Sequence, residues 1–204
     1  HGSIIAAGGP QVDYPPNYNS GAVKVYEWLD NDWSQKGTDL VSNNGRYAVR
    51  ERGGNSIALN DSGEIIVIGN TRYTDDGSPY GSGSVDVYEF VDDSWSLKGS
   101  KIVSTTVRGP NPEYVGAAVS VNASGNVIAY GAFGWADPYT LSGQVKVFEW
   151  DGIDWIQKGQ SFDGLGLERL GSDVKLNAAG DRVLILSQYH AQVWEFASSS
   201  WRQV

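Results

Sequence analysis

Gly143-Gln-Val-Lys-Val-Phe-Glu-Trp150, a short polar connection, then Asp154-Trp155-Ile-Gln-Lys-Gly159: this stretch decides the fold, because the chain writes it four times. Other copies stand at Gly21-Ala-Val-Lys-Val-Tyr-Glu-Trp28 with Trp33-Ser-Gln-Lys-Gly37, and at Gly83-Ser-Val-Asp-Val-Tyr-Glu-Phe90 with Trp95-Ser-Leu-Lys-Gly99. A shortened copy closes the chain at Gln192-Val-Trp-Glu-Phe196 with Trp201-Arg-Gln-Val204. In every copy a glutamate precedes a tryptophan by six positions: Glu27 and Trp33, Glu89 and Trp95, Glu149 and Trp155, Glu195 and Trp201.

Upstream of each anchor lies a second repeated pair of segments. Ser56-Ile-Ala-Leu-Asn60 runs through Gly63 into Ile65-Ile-Val-Ile-Gly69, and Ala118-Val-Ser-Val-Asn122 runs through Gly125 into Val127-Ile-Ala-Tyr-Gly131. Asp173-Val-Lys-Leu-Asn177 leads through Gly180 into Val183-Leu-Ile-Leu186, and the N-terminal copy keeps only Ile4-Ile-Ala-Ala-Gly8. Each full unit therefore reads as four short strands. The first alternates and ends in an Asn-x-x-Gly turn, where Gly takes positive φ. The second is an unbroken apolar run, which suits a strand covered on both faces. The third alternates, and the fourth opens at the Trp and ends near Lys-Gly. No stretch sustains a helical period with caps, so helix is expected to be nearly absent.

The glutamates stand 62, 60 and 46 residues apart. Aromatic-rich units of four strands at such spacing predict an all-β chain, a β-propeller of four-stranded antiparallel blades. About four blade units are expected, near 4–54 (incomplete), 55–116, 117–171 and 172–204, as a single propeller domain or a propeller fragment. One sheet cannot cover both of its own faces, so neighbours must stack on it. Tyr26, Tyr88, Phe148 and Trp194 are expected to wedge against the following blade. Antiparallel strands also sort the connections: one end carries short turns, such as Asn60 to Gly63 and Val91 to Ser94. The opposite end carries long loops, Gly9 to Ser20, Asn70 to Ser82 and Ala132 to Ser142, except at Ser187-Gln-Tyr-His190.

Composition narrows the function classes. The net charge of −9 argues against nucleic acid or anionic lipid, which call for clustered Lys and Arg. Arg46, Arg50 and Arg52 form the only local basic cluster. With no cysteine there is neither disulfide nor thiolate chemistry. No apolar run is long enough for a membrane helix, so insertion is not expected. His1-Gly2-Ser3 reads as a tag and cloning remnant and is set aside from fold reasoning.

The unit resembles the FG-GAP repeat of integrin α-subunit propellers and their bacterial and algal relatives. Tyr114-Val-Gly116 stands where that family has its Phe-Gly, and Tyr130-Gly131-Ala132 where it has Gly-Ala-Pro. Gly143-Gln-Val-Lys-Val-Phe148 then matches its Gly-x-Val-x-Val-Tyr strand, and Leu170-Gly171 opens the last unit in the same way. The resemblance implies a seven-bladed ring and often a calcium loop between first and second strands. Here those turns read Asn60-Asp-Ser-Gly-Glu64, Asn122-Ala-Ser-Gly-Asn126 and Asn177-Ala-Ala-Gly-Asp181, too few carboxylates for calcium. The incomplete first unit leaves three arrangements open: a fragment of a larger propeller, a four-bladed ring with one thin blade, or two chains joining into eight blades.

Candidate ligand-binding residues lie on the long-loop face: Tyr14 and Tyr18 beside Asp13, then Tyr73, Asp75, Asp76 and Tyr80, then Trp135, Asp137 and Tyr139. Aromatic platforms beside carboxylates suit sugars or the anchors of a protein partner; the alternative is aromatics packing their own loops down. Asp75, Asp76 and Asp137 are also a candidate cation set. Asn60 and Asn122 open N-glycosylation sequons on a turn that wants Asn and Ser anyway. His1 with His190 is a candidate copper brace, weighed against the tag reading of His1. Glu27, Glu89, Glu149 and Glu195 occur once per blade, which points to a structural role, bonding backbone or a neighbouring blade's Lys. No nucleophile elbow, phosphate loop or zinc spacing is present. The expectation is a non-enzymatic recognition, adhesion or assembly module without metal or cofactor, extracellular or at the cell surface. Its partner is a protein, met through the long-loop face or an open blade edge, with self-association through the incomplete blade included. A sugar-binding lectin is the alternative, and a glycan-active enzyme a third reading.

Overall fold

The computed structural model describes residues 3–10, 12, 21–41, 53–73, 81–104, 113–136 and 141–204. Among them there is no helix. Each repeat folds into its own antiparallel sheet. Sheet one holds β1 (Ile4–Gly9), β2 (Ala22–Leu29), β3 (Asp32–Gln35) and β4 (Leu40–Val41). Sheet two holds β5 (Gly53–Leu59), β6 (Ile65–Asn70), β7 (Ser84–Val91), β8 (Ser94–Leu97) and β9 (Ile102–Val103). Sheet three holds β10 (Ala118–Val121), β11 (Val127–Ala132), β12 (Gln144–Trp150), β13 (Trp155–Gln157) and β14 (Phe162–Asp163). Sheet four holds β15 (Asp173–Leu176), β16 (Arg182–Leu186), β17 (Ala191–Ala197) and β18 (Ser200–Gln203).

The fourth strand of the first three blades comes in two pieces. β8 pairs the end of β7 and β9 pairs its start, and β13 and β14 divide β12 in the same way. Between the pieces, Lys98-Gly99 and Lys158-Gly159 leave the sheet, with each Gly at φ 75°. The third-to-fourth hairpins use Asp30-Asn31, Asp92-Asp93 and Ser198-Ser199, both residues of each pair at positive φ. That twist matches the flanking strands, and short polar side chains bear it best among L-residues.

The core lies between the sheets. Val23, Val25 and Leu40 of sheet one meet Ile66 and Ile68 of sheet two. Ile65, Val67, Val85 and Val87 on the other side of sheet two meet Ile128 and Tyr130 of sheet three. Val127, Ala129, Val145 and Val147 then meet Val174, Val183 and Ile185 of sheet four. β6 and β11 are buried along their whole length, as their unbroken apolar runs require. Sheets stack in chain order, and no core cluster or hydrogen bond joins the fourth to the first among the described residues. The described sheets thus follow one another as an arc of stacked blades.

One expectation is reversed. Tyr88, Phe148 and Trp194 pack against the preceding blade. Residues two apart on a strand share a face. These rings therefore lie on the same side as Trp95, Trp155 and Trp201, whose indoles reach back along the chain. Tyr26 holds the equivalent place on sheet one, half-buried.

At the short-turn end the asparagines tie the arc together. Asn122 Oδ1 accepts from the Asn126 and Val127 amides at 3.0 and 2.9 Å, and its Nδ2 donates to the Ala179 carbonyl of the next turn at 3.4 Å. Asn60 repeats the arrangement on Ile65 and Ala123. Both sequon nitrogens are thus buried and engaged. Across the arc the backbones approach closely: a Cβ on Gly131 would stand 2.0 Å from the Gly171 carbonyl oxygen, and one on Gly69 1.9 Å from that of Gly116.

Gly131→Ala should therefore lower stability by about 2 kcal/mol or more, and Asn122→Ala by roughly 1–3 kcal/mol for the amides left unpaired. Urea unfolding midpoints measure both; an unchanged midpoint for Gly131→Ala is incompatible with this approach of the sheets.

Candidate functional site

The repeat residues explain themselves first. Trp95 Nε1 donates to the Lys36 carbonyl at 2.8 Å, Trp155 Nε1 to that of Lys98 at 2.8 Å, and Trp201 Nε1 to that of Lys158 at 2.7 Å. The ammonium of the same lysine lies over the next blade's ring: Lys36 Nζ is 4.0 Å from the Phe90 centroid, Lys98 5.1 Å from Trp150, Lys158 4.9 Å from Phe196. Each lysine also pairs with the glutamate of its own blade, Glu27 at 3.8 Å, Glu89 at 2.8 Å and Glu149 at 3.0 Å. The glutamates thus hold their own blade's lysine and not a neighbour's, because that lysine must turn its carbonyl and its charge toward the next aromatic pair. Glu195 binds Arg182 instead, at 2.9 Å. Trp33 alone is without such a carbonyl among the described residues, and it is 39% exposed against 6% for Trp155 and 3% for Trp201.

Of the long-loop candidates, Tyr14, Tyr18, Asp75, Asp76, Tyr80, Asp137 and Tyr139 lie outside the described residues, as do Asp13 and His1. Tyr73 and Trp135 are described, and they occupy one repeated post. Tyr73 N donates to the Asn70 carbonyl at 3.1 Å while its own carbonyl accepts from Gly83; Trp135 does the same between Ala132 and Gly143, and Val12 between Gly9 and Gly21. Both aromatics are half-buried at loop roots, with Trp135 packed on the core between sheets two and three.

Charge gathers on both faces of sheet two, Asp86 and Lys101 toward sheet one and Glu113 near Tyr130 of sheet three. Asp86 is buried on β7, bound by the Lys101 ammonium and by Asn70 Nδ2 at 3.0 Å. The Lys101 ammonium also sits 4.4 Å from the Tyr73 ring centroid. Glu113, likewise buried, accepts from Ser104 Oγ at 2.5 Å, and the Gly134 amide donates to its carbonyl. Glu113 Oε1 and Arg72 Nε make no hydrogen bond, although both are buried. Burial, and then the Asp86 charge, raise the Tyr88 phenol well above its ordinary range; burial, and then Glu113, do the same to Tyr130. Both phenols stay protonated donors. The roots of the long loops thus hold two unpaired polar atoms, a guanidinium nitrogen in the residue before Tyr73 and a carboxylate oxygen of Glu113, which is bonded to the residue before Trp135.

Asp86, Lys101, Glu113 and Arg72 are absent from the residues singled out in the sequence. One signal was present: blade two reads Val-Asp-Val where blades one and three read Val-Lys-Val. Blade one carries the pair in the opposite sense, Lys24 with Asp39 at 3.4 Å. Elsewhere, His190 is exposed in its tight connection, its ring nitrogens facing Ser187 and Gln192. Among the described residues no three metal-ligating side chains gather.

A scan against models of protein families found no match, and neither did a search of curated proteins. Solved structures do share the architecture. KlAtg21, in complex with the coiled coil of AgAtg16, is 11% identical with a TM-score of 0.59, over 92% of this chain and 50% of its own. The periplasmic gluconolactonase PpgL of Pseudomonas aeruginosa is 19% identical with a TM-score of 0.53, over 92% and 51%. A functionally unknown protein of Desulfotomaculum acetoxidans is 13% identical with a TM-score of 0.53, over 90% and 48%. This chain spans about half the length of the structures it matches. At such identities the likeness is one of fold, a β-propeller, and a fold hosts many functions. It also overturns the expectation that the chain is not an enzyme, since one of these propellers is a gluconolactonase.

The inverted pairs in blades one and two yield a test. Asp86→Lys should destabilise the chain by about 3 kcal/mol, because it buries a second cation beside Lys101. Adding Lys101→Asp, which copies the order of blade one, should recover most of the loss in thermal melts. Equal stability of the single and double variants refutes the pairing.

Proposed function

We propose that the chain is a recognition module that binds a protein partner through the long-loop face. One observation carries the reading: two buried polar atoms lack partners at the roots of the long loops, Arg72 Nε in the residue before Tyr73 and Glu113 Oε1 in a residue bonded to Gly134, before Trp135. Buried groups of this kind are rare in folded chains, and a ligand that pairs them recovers their lost hydrogen bonding. Half-buried aromatics next to such groups suit the anchor residues of an interface. The short-turn end is different, since its asparagine side chains are already spent on neighbouring turns. The KlAtg21 propeller in complex with a coiled coil supports the partner class. The FG-GAP-like repeat supports placing the module outside the cell or at its surface.

A lectin remains the second reading, with sugars stacked on the same rings. Parallel protein and glycan arrays probed with the wild-type chain separate the two. Protein binding is expected, weakened at least ~10-fold in Trp135→Ala and in Glu113→Gln, with thermal melts checking that both variants fold. Binding confined to glycans and lost in Trp135→Ala gives the site to a sugar.

A further inference from the structure

On the long-loop face two junctions share a backbone and differ in side chains, so the repeat acts as its own control. Tyr114 precedes Val115-Gly116, and Arg169 precedes Leu170-Gly171. Val115 bridges Gly83 and Leu170 bridges Gly143 in the same parallel sense. Gly116 and Gly171 each meet a glycine of a second strand, Gly69 and Gly131. Tyr114 stands at φ 58° and Arg169 at φ 52°. For a bulky L-residue that conformation is an outlier, which glycine or asparagine would bear more easily. Strained positions of this kind cluster at ligand-binding sites.

In the junction of blades two and three, a ring is placed there. Tyr114 stacks on Phe133, with centroids 4.9 Å apart and planes 16° from parallel, and both are half-buried. The fold does not require this pair, because the register puts Gln188 in blade four where blade three has Phe133. A glutamate precedes both posts. The Glu113 carbonyl accepts from the Gly134 amide at 3.0 Å, and the Glu168 carbonyl from the Gln188 amide at 2.9 Å. Glu168 is followed by an arginine, and its carboxylate accepts from the Leu165 amide at 2.9 Å. Glu113 is 4% exposed and accepts from Ser104 Oγ with one oxygen, while the other is unbonded. It pairs with no lysine or arginine among the described residues.

We infer that the partner presents a basic side chain, a lysine or arginine, to the Tyr114–Phe133 stack, with Glu113 as its counter-charge; this rests on the reading of the long-loop face as a protein-binding surface. A buried carboxylate without a counter-charge is unfavourable, and a ring face attracts a cation. Elsewhere the chain meets that combination with its own lysines. Lys98 reaches Glu89 and the Trp150 ring, and Lys101 reaches Asp86 and the Tyr73 ring. At the stack the partner's charge stands in for the guanidinium that the repeat carries at Arg169. The net charge of −9 draws the same kind of partner.

Amide chemical shifts test the inference, read while the whole chain is titrated with blocked peptides of glycine around one central residue. Peptides centred on lysine or arginine should shift the Tyr114 and Gly134 amides saturably. Those centred on norleucine or acetyl-lysine should bind at least ~10-fold more weakly, and Glu113→Gln should weaken the lysine peptide by a similar factor. Tyr114→Arg copies the post of Arg169, so it should keep the wild-type melting temperature and abolish the response. Equal shifts from the lysine and norleucine peptides, or none from any peptide at ~10 mM, overturn the inference. Arrayed proteins report separately. A chain that takes the lysine peptide but no protein keeps this subsite and loses the partner reading. Protein binding indifferent to Tyr114→Arg overturns the subsite and leaves the partner reading standing.

Discussion

A tryptophan N–H reaching back to a lysine carbonyl is the bond on which this stack depends. It recurs at Trp95, Trp155 and Trp201 within 0.1 Å of the same length. Such a bond contributes only about 1 kcal/mol, and the ammonium over the ring about another 0.5–1 kcal/mol. Its structural effect is larger than its energy. The lysine can turn its carbonyl outward only if the chain leaves the sheet, so Gly37, Gly99 and Gly159 follow at positive φ. The fourth strand is split for the same reason, and the glutamate six residues before the tryptophan neutralises the lysine on its own side. One contact thereby accounts for the Glu, the Trp, the Lys and the Gly of every full repeat.

The asymmetry of the blades follows. Each sheet has a face that gives the lysine carbonyl and a face that receives it, so the stack has a direction. Apolar burial is shared between neighbours, and stability in such arrays is close to a sum of nearest-neighbour terms. Blades two and three satisfy both faces. The paired charges of blade four, Asp173 with Lys175 and Arg182 with Glu195, are exposed, where such pairs contribute little to stability.

Buried charge enters only where the stack tolerates irregularity. Lys24 with Asp39 and Asp86 with Lys101 are one cross-strand contact written in two orders, which the sheet accepts because opposite charges attract equally in either order. In blade two the pair is drawn inward, where Asn70 Nδ2 donates to Asp86 and to Ser84 Oγ, while Glu113, near Tyr130, is held by Ser104 with one oxygen left over. Burial first, and then the nearby carboxylates, raise the Tyr88 and Tyr130 phenols and keep both protonated.

Repetition made the fold legible in the sequence alone. The Glu-to-Trp interval, the Asn-x-x-Gly turns and the apolar second strands each state a local rule, and local rules survive translation into strands because alternation and turn geometry act over a few residues. The face on which Tyr88 and Phe148 pack was not legible, since alternation says which residues share a side and not which neighbour that side meets. Nor was the site: Asp86 meets Lys101 across sheet two, and Glu113 meets Ser104 in the connection that follows, contacts set by register and burial that alternation alone does not specify. The sequence by itself determined four sheets and their internal order. Tertiary structure decided the direction of stacking, because that depends on close approach between backbones, where even one added methyl group, as at Gly131, would collide with the next blade.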